Sequence, residues 1–201
     1  MEHILLKIRE RIDAMSVEKN RLIVAIDGRC GSGKTTLAAE LKRVYPCELI
    51  HTDDFFLRPE QRTAERLARP GENVDHERFL QEVLLPLSAG KSFSYRPFSC
   101  SSGTLTAPVS VSPCRITVVE GSYSCHAKLR DFYDLRIFLS TDRESQLRRI
   151  TERSGARSAA VFAERWIPLE EKYFSGCDVI NCCDMYFETL PDLPADIYAG
   201  V

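Results

Sequence analysis

The stretch AIDGRCGSGKTT, residues 25 to 36, gathers Gly28, Gly31 and Gly33 into one turn and follows them directly with a lysine and two threonines. Without side chains in the way, such a backbone can wrap closely around an anion, and its N–H groups and the helix that follows both point positive charge at it. The spacing Gly28-x-x-x-x-Gly33-Lys34-Thr35 is that of a P-loop, which holds a nucleoside triphosphate. Lys34 is placed to reach the β- and γ-phosphates, and the Thr35 hydroxyl to ligate Mg²⁺. The expected ATP-binding set is Gly28, Arg29, Cys30, Gly31, Ser32, Gly33, Lys34, Thr35 and Thr36. The glycines lack the spacing of a dinucleotide-binding turn, which argues against nicotinamide or flavin chemistry.

A P-loop says what is bound and not what becomes of it. The D-x-x-G and N-K-x-D elements of GTPase switches are absent, as is an SGGQ stretch. Carboxylates carry the next step. Asp53, in HTDDFF, follows a second strand, and Glu120, in VVEGSY, ends a third, so both fall at the sheet edge where open α/β folds place ligands. There Asp53 can orient an attacking hydroxyl and accept its proton, and Glu120 can bind Mg²⁺ through water, with Thr35 as the other metal ligand, or orient the acceptor. The other reading of these acids is turn capping, with Asp54 available for the same work. In QLRRITERSGAR, Arg149, Arg153 and Arg157 recur every fourth residue, on one face of a helix if it runs that far. Guanidinium groups so placed can neutralise charge on a phosphate in transfer. A solvated helix face is the alternative.

Positioning these groups requires a layered frame. The apolar runs 21–27, 47–52, 115–121, 134–140 and 177–182 read as strands, with helical patterns between most of them. They predict an α/β fold of three layers, a P-loop NTPase architecture with a mostly parallel sheet of about five strands and helices on both faces. TTLAAELKRVY forms the helix after the P-loop, with Leu37, Leu41 and Val44 inward and Pro46 stopping it. Thr141-x-x-Glu144 reads as a capping box opening a helix that carries the arginines of 142–158. Residues 1–19 fit an amphipathic helix with Ile4, Ile8, Ile12 and Met15 on one stripe, to pack on the domain or to join two copies of the chain. Segment 57–113 interrupts the rhythm. It contains a helix beginning near Asp75 and a serine-rich stretch whose CSSG turn favours a hairpin over a disordered linker, and an insertion of that length in a compact domain is usually functional.

Composition narrows the setting. At 201 residues and 44% hydrophobic the chain makes one domain, 1–201. Lysine and arginine number 27 against 29 acids, so no global field gathers nucleic acid or an anionic membrane. The charged amino terminus and the lack of a long apolar run predict a cytoplasmic protein. Its eight cysteines then read as reduced thiols, mostly small core residues.

The blocks AIDGRCGSGKTTLA, HTDDFF, NVDHERF, FSYRPF and VVEGSY, in this order, resemble the uridine kinase and phosphoribulokinase group of P-loop kinases, which includes nicotinamide riboside and pantothenate kinases. The resemblance runs from about Leu22 to Phe174. It implies ATP- and Mg²⁺-dependent transfer of a phosphoryl group to the hydroxyl of a small molecule. Lys34, Asp53, Glu120, Arg149 and Arg153 would be the catalytic group, with Asp53 at the family's catalytic aspartate. Asp53, Phe56, Asp75, His76 and Tyr95 would meet the acceptor, Asp75 at a ribose-binding position and Tyr95 at the tyrosine of the substrate hairpin. A nucleoside such as uridine is the first acceptor to consider. Cys100 stands where the pyrimidine kinases carry a base-contacting histidine, so nicotinamide riboside, pantothenate or a sugar alcohol is the alternative. From another class comes a regulatory module that binds nucleotide without transferring phosphate. Trp166 and Tyr173 read as packing residues.

Overall fold

Strand β1 (Leu22–Gly28) is buried along its whole length because its two faces feed two cores. Leu22, Val24 and Ile26 point to one side and Ile23 and Ala25 to the other, the period of two that a strand imposes. In the computed structural model, which describes residues 1–189, β1 lies at the centre of a five-stranded sheet. Its neighbours are β2 (Cys47–His51), β7 (Ile116–Glu120), β8 (Leu135–Ser140) and β9 (Met185–Glu188), in the order β2-β7-β1-β8-β9 with every pairing parallel. Of the 1–201 span, residues 190–201 lie outside the described part. No described helix is long and apolar enough to cross a membrane.

Helices α1 (Glu2–Glu18) and α2 (Lys34–Val44) cover one face. Ile4, Ile8 and Ile12 of α1 are buried against Leu37, Leu41 and the strand residues, with Met15 partly buried beside them, so this stripe packs on its own chain. Val44, expected on the inner face of α2, is 37% exposed. It is the last residue of the helix. The opposite face carries α8 (Ile167–Gly176), α9 (Val179–Cys182) and the helices of the insertion.

The fifth strand is a correction. Residues 177–182, read as a strand, contain the single helical turn α9, entered through Asp178 at φ 51° and closed by the Cys182 N–H on the Asp178 carbonyl at 3.2 Å. A short apolar run does not distinguish a buried helical turn from a strand. The sheet edge is taken by β9, whose Met185 and Phe187 turn inward while Tyr186 and Glu188 are exposed.

The insertion forms α3 (Ala64–Leu67), α4 (His76–Phe79), a π-helical stretch Leu80–Leu84, α5 (Leu85–Ser88) and two small sheets. As expected, α4 starts at Asp75, whose carboxylate caps it by accepting the Arg78 N–H at 3.1 Å. The CSSG turn links β4 (Phe98–Ser99) to β5 (Thr104–Leu105), and β3 (Phe93–Tyr95) pairs antiparallel with β6 (Val109–Val111).

Helix α6 (Arg143–Ser154) starts one residue later than the capping-box reading. Asp142 is its N-cap, accepting the Ser145 N–H at 2.8 Å, because an aspartate caps better than the threonine before it. It ends at Gly155, where φ of 80° suits a residue without Cβ. Arg157 therefore belongs to α7 (Ala156–Val161) and does not continue the face of Arg149 and Arg153. All eight cysteines are free thiols, but only Cys30, Cys47 and Cys125 are buried, and Cys100 is exposed.

Because Ile8 is fully buried between α1 and the sheet, Ile8→Ala is expected to lower the unfolding free energy by about 2–5 kcal/mol. Urea titration measures this, and a midpoint equal to the parent's would show that α1 is not part of the core.

Candidate active site

The parallel register decides where the chemistry-bearing groups meet. Glu120, the last residue of β7, pairs with Ile26 on one side and His51 on the other, so the strand ends and the P-loop come out at one edge. Thr35, at the start of α2, donates its hydroxyl to Glu120 at 3.1 and 3.3 Å from the two carboxylate oxygens. His51 Nδ1 meets the same carboxylate at 2.6 Å, and that hydrogen bond holds the imidazole pKa above its ordinary value against the opposing effect of burial. Asp53, two residues past β2 in a 3₁₀ turn (Thr52–Phe55), lies alongside. Its Oδ1 would be 3.3 Å from a Cβ at residue 121, and Thr52 Oγ1 only 2.2 Å. Gly121 is thus what lets the two strand-end turns approach so closely.

These groups line a cleft of about 1270 Å³. Pockets for one small ligand run to about 300–1,000 Å³, so a donor and an acceptor fit together. Cys30, Gly31, Ser32, Gly33, Lys34, Thr35 and Thr36 line it from the P-loop, Glu120 from the end of β7, and Ser122 and Tyr123 from the loop that follows. Lys34 Nζ lies 2.8 Å from the Gly28 carbonyl, 3.0 Å from that of Arg29 and 3.4 Å from Ser122 Oγ. Ser32 Oγ is buried in the loop with no hydrogen-bond partner among the described residues. An unpaired buried hydroxyl is costly; with the glycine-rich turn and Lys34, it fits a phosphate-bearing ligand. The hydroxyl and carboxylate oxygens of Thr35 and Glu120 are the donors that suit Mg²⁺.

Asp53 is open to water on the cleft side and crowded by protein elsewhere. Burial pushes its pKa up, and the Glu120 and Glu170 carboxylates add to that, while Lys34 and His51 oppose it. Arg149 lines the cleft, donating to the Gly31 carbonyl at 3.2 Å and to Thr189 Oγ1 at 3.0 Å. Arg153 lines it too, its guanidinium 5.8 Å from the Phe162 ring.

The acceptor-side residues divide. Asp53 and Phe56 line the cleft, joined by Leu57, Arg62, Asn73 and Cys100. Asp75, His76 and Tyr95 are not among the lining residues of the described chain. Asp75 is occupied as a helix cap and accepts Gln61 Nε2 at 2.8 Å. His76 is buried, stacked on His126 at 4.5 Å and paired with Glu72 at 3.1 Å. The Tyr95 hydroxyl donates to Asp54 at 3.1 Å, which gives Asp54 a partner in the insertion. Gly28 and Arg29 also stay outside the lining. The Arg29 side chain pairs bidentately with Glu171, at 2.8 and 2.9 Å. Tyr173 packs as expected, whereas Trp166 lines the cleft with Phe162, on the π-helical stretch Phe162–Trp166.

Sequence reasoning passed over three carboxylate or imidazole groups. His51 had a local signal in its place before Asp53. Glu170 and Asp27 had none, since a glutamate in an amphipathic helix and an aspartate ending a strand are both ordinary. Asp27 is fully buried, and its carboxylate accepts the N–H of Gly28 at 2.6 Å and of Cys125 at 2.8 Å and the hydroxyl of Tyr173 at 2.7 Å. Burial nevertheless wins, pushing its pKa up to about 6.

No family model matches the chain. In sequence it is 26% identical over 126 residues to uridine-cytidine kinase C of Dictyostelium discoideum, a match covering 59% of this chain and 27% of that protein. The chain thus spans about a quarter of the length of the curated relative it matches. In structure it resembles a possible uridine kinase from Bacillus stearothermophilus, at TM-score 0.64 and 21% identity, over 90% of this chain and 99% of the other. It also resembles the circularly permuted YFH7 of Saccharomyces cerevisiae, at TM-score 0.64 and 13% identity, over 85% and 93% of the two chains. The fold is that of the P-loop kinases. The sequence match is to a uridine-cytidine kinase, and one of the structural matches is to a possible uridine kinase.

Asp27 has a consequence for stability. Its folded pKa lies above the unfolded value of 3.8, so the folded state binds the extra proton and stability falls as pH rises from about 4 to about 6, by on the order of 2–3 kcal/mol. Asp27→Asn removes this dependence and adds a pH-independent cost, because its NH2 must face one of the N–H donors, that of Gly28 if its oxygen keeps Cys125 and Tyr173. Urea midpoints of parent and variant between pH 4 and 7 measure the difference; parallel curves would refute the assignment.

Proposed function

We propose that this protein is an ATP- and Mg²⁺-dependent kinase that transfers a phosphoryl group to a hydroxyl of a small molecule, with a nucleoside such as uridine as the first acceptor to test. The observation that carries the reading is the meeting of Thr35 with Glu120, beside Asp53 and Lys34, in one cleft. A module that only binds nucleotide has no use for a proton acceptor in that position. The sequence likeness to a uridine-cytidine kinase and the fold shared with a possible uridine kinase support the same class.

The chain's own groups divide the work. Lys34 turns from the Gly28 and Arg29 carbonyls toward the β- and γ-phosphates, with Ser32 and the loop amides as further donors. Thr35 and Glu120 would hold Mg²⁺, which when bound neutralises phosphate oxygens and fixes their geometry. Asp53 orients the acceptor hydroxyl in line with the γ-phosphate and takes its proton. In a loose transition state this orientation is most of its contribution. A pKa raised by burial makes it a better base than a free aspartate. Arg149 and Arg153 face the triphosphate from α6, where guanidinium charge counts for more than in water.

ADP release with Mg-ATP, measured with and without uridine, cytidine, nicotinamide riboside, pantothenate and small sugars, identifies the acceptor by stimulation. Asp53→Asn is expected to keep ATP affinity and lose acceptor phosphorylation by about 10²–10⁴-fold. A variant as fast as its parent would remove Asp53 from the reaction.

A further inference from the structure

Glu170 lies at the junction of three elements. On α8, and only 4% exposed, it accepts the Cys30 N–H of the P-loop through Oε2 at 3.0 Å and the Ser122 hydroxyl through Oε1 at 2.7 Å. Ser122 has one proton to give. Giving it to Glu170, by the shorter of its two contacts, leaves its lone pairs facing Lys34 Nζ at 3.4 Å; the Gly28 carbonyl at 3.3 Å is the other acceptor within its reach. The next residue repeats the grip. Glu171 holds Arg29 by two charge-assisted bonds, and the Arg29 guanidinium also reaches Ser140 Oγ at 2.8 Å and lies 5.7 Å from the Phe174 ring. Two consecutive P-loop residues are therefore fixed by two consecutive residues of one helix.

We propose that Glu170 is a positioning residue for the nucleotide donor: it sets the Cys30 amide and the Ser122 hydroxyl, and through Ser122 the aim of Lys34. This rests on the reading of the cleft as a nucleoside triphosphate site. A buried carboxylate is retained only where donors satisfy it, and here both donors belong to loops that surround the phosphate-binding lysine. Glutamine at this position can still accept the Cys30 N–H through its carbonyl oxygen, while Ser122 reverses to accept from its amide. Alanine can do neither.

The test is equilibrium binding of Mg²⁺ and a fluorescent N-methylanthraniloyl ATP by the full chain. Glu170→Ala is expected to bind about tenfold more weakly than the parent, the size of one or two lost hydrogen bonds. Glu170→Gln is expected to stay within about threefold. Ser122→Ala, which leaves the Cys30 bond in place, falls between them and serves if Glu170→Ala does not fold. Parent-like affinity in Glu170→Ala, or in Ser122→Ala where that variant stands in for it, overturns the proposal. Equal losses in Glu170→Ala and Glu170→Gln also overturn it, since the effect is then one of charge and not of positioning. A parent that fails to bind the analogue removes the nucleotide reading itself, and the proposal with it.

Discussion

Everything at the cleft depends on the parallel register of β1 with β7 and β8. Parallel strands all end at one edge, and the pairing of Glu120 with Ile26 and His51 fixes how far each of them reaches. A slip of one residue along β7 would turn Glu120 to the other face of the sheet and separate it from Thr35. The register is held by burial on both faces, since alternate residues of β1 enter two different cores. Hydrophobic packing, which is itself non-directional, therefore sets polar contacts of about 3 Å.

The polar groups held this way are costly to bury, and the structure offsets the cost by sharing partners. Asp27 gathers two N–H donors and a tyrosine hydroxyl from β1, the loop after β7 and α8. Glu120 takes Thr35 and His51, and Glu170 takes Cys30 and Ser122. Each carboxylate bridges different elements, so the P-loop, the strand-end loops and α8 are tied to one another as one polar layer. Tyr123, at φ 75°, lies in the same layer. A bulky side chain in that backbone region costs about 1–3 kcal/mol and persists only where its surroundings enforce it; here its ring packs 4.8 Å from that of Tyr173.

The cleft walls come from less regular parts of the chain. The insertion is rich in arginines, yet Arg66, Arg78 and Arg96 are consumed by carbonyls and carboxylates that shape it. Arg62 is the one that lines the cleft, and its Nε is fixed on the Leu57 carbonyl at 2.8 Å. On the opposite wall the break at Gly155 separates α6, which brings Arg149 and Arg153, from a second helical run, which brings Phe162 and Trp166. One continuous helix could not have presented both sets to the same space.

The sequence by itself determined the class of fold, the P-loop and the two carboxylates at strand ends, because these are local patterns: a glycine spacing, a buried apolar run, an acid where the run stops. It also determined where α1, α4 and the hairpin lie. The identity of the edge strand was decided by competition between two apolar segments for one place beside β8, and the end of α6 by a glycine whose backbone angle only the fold requires. The roles of Glu170 and Asp27 were invisible for a related reason. A carboxylate's work depends on which donors surround it, and those donors are 48 residues away for Ser122 and 146 for Tyr173. Only the closed tertiary structure brings them within hydrogen-bonding distance.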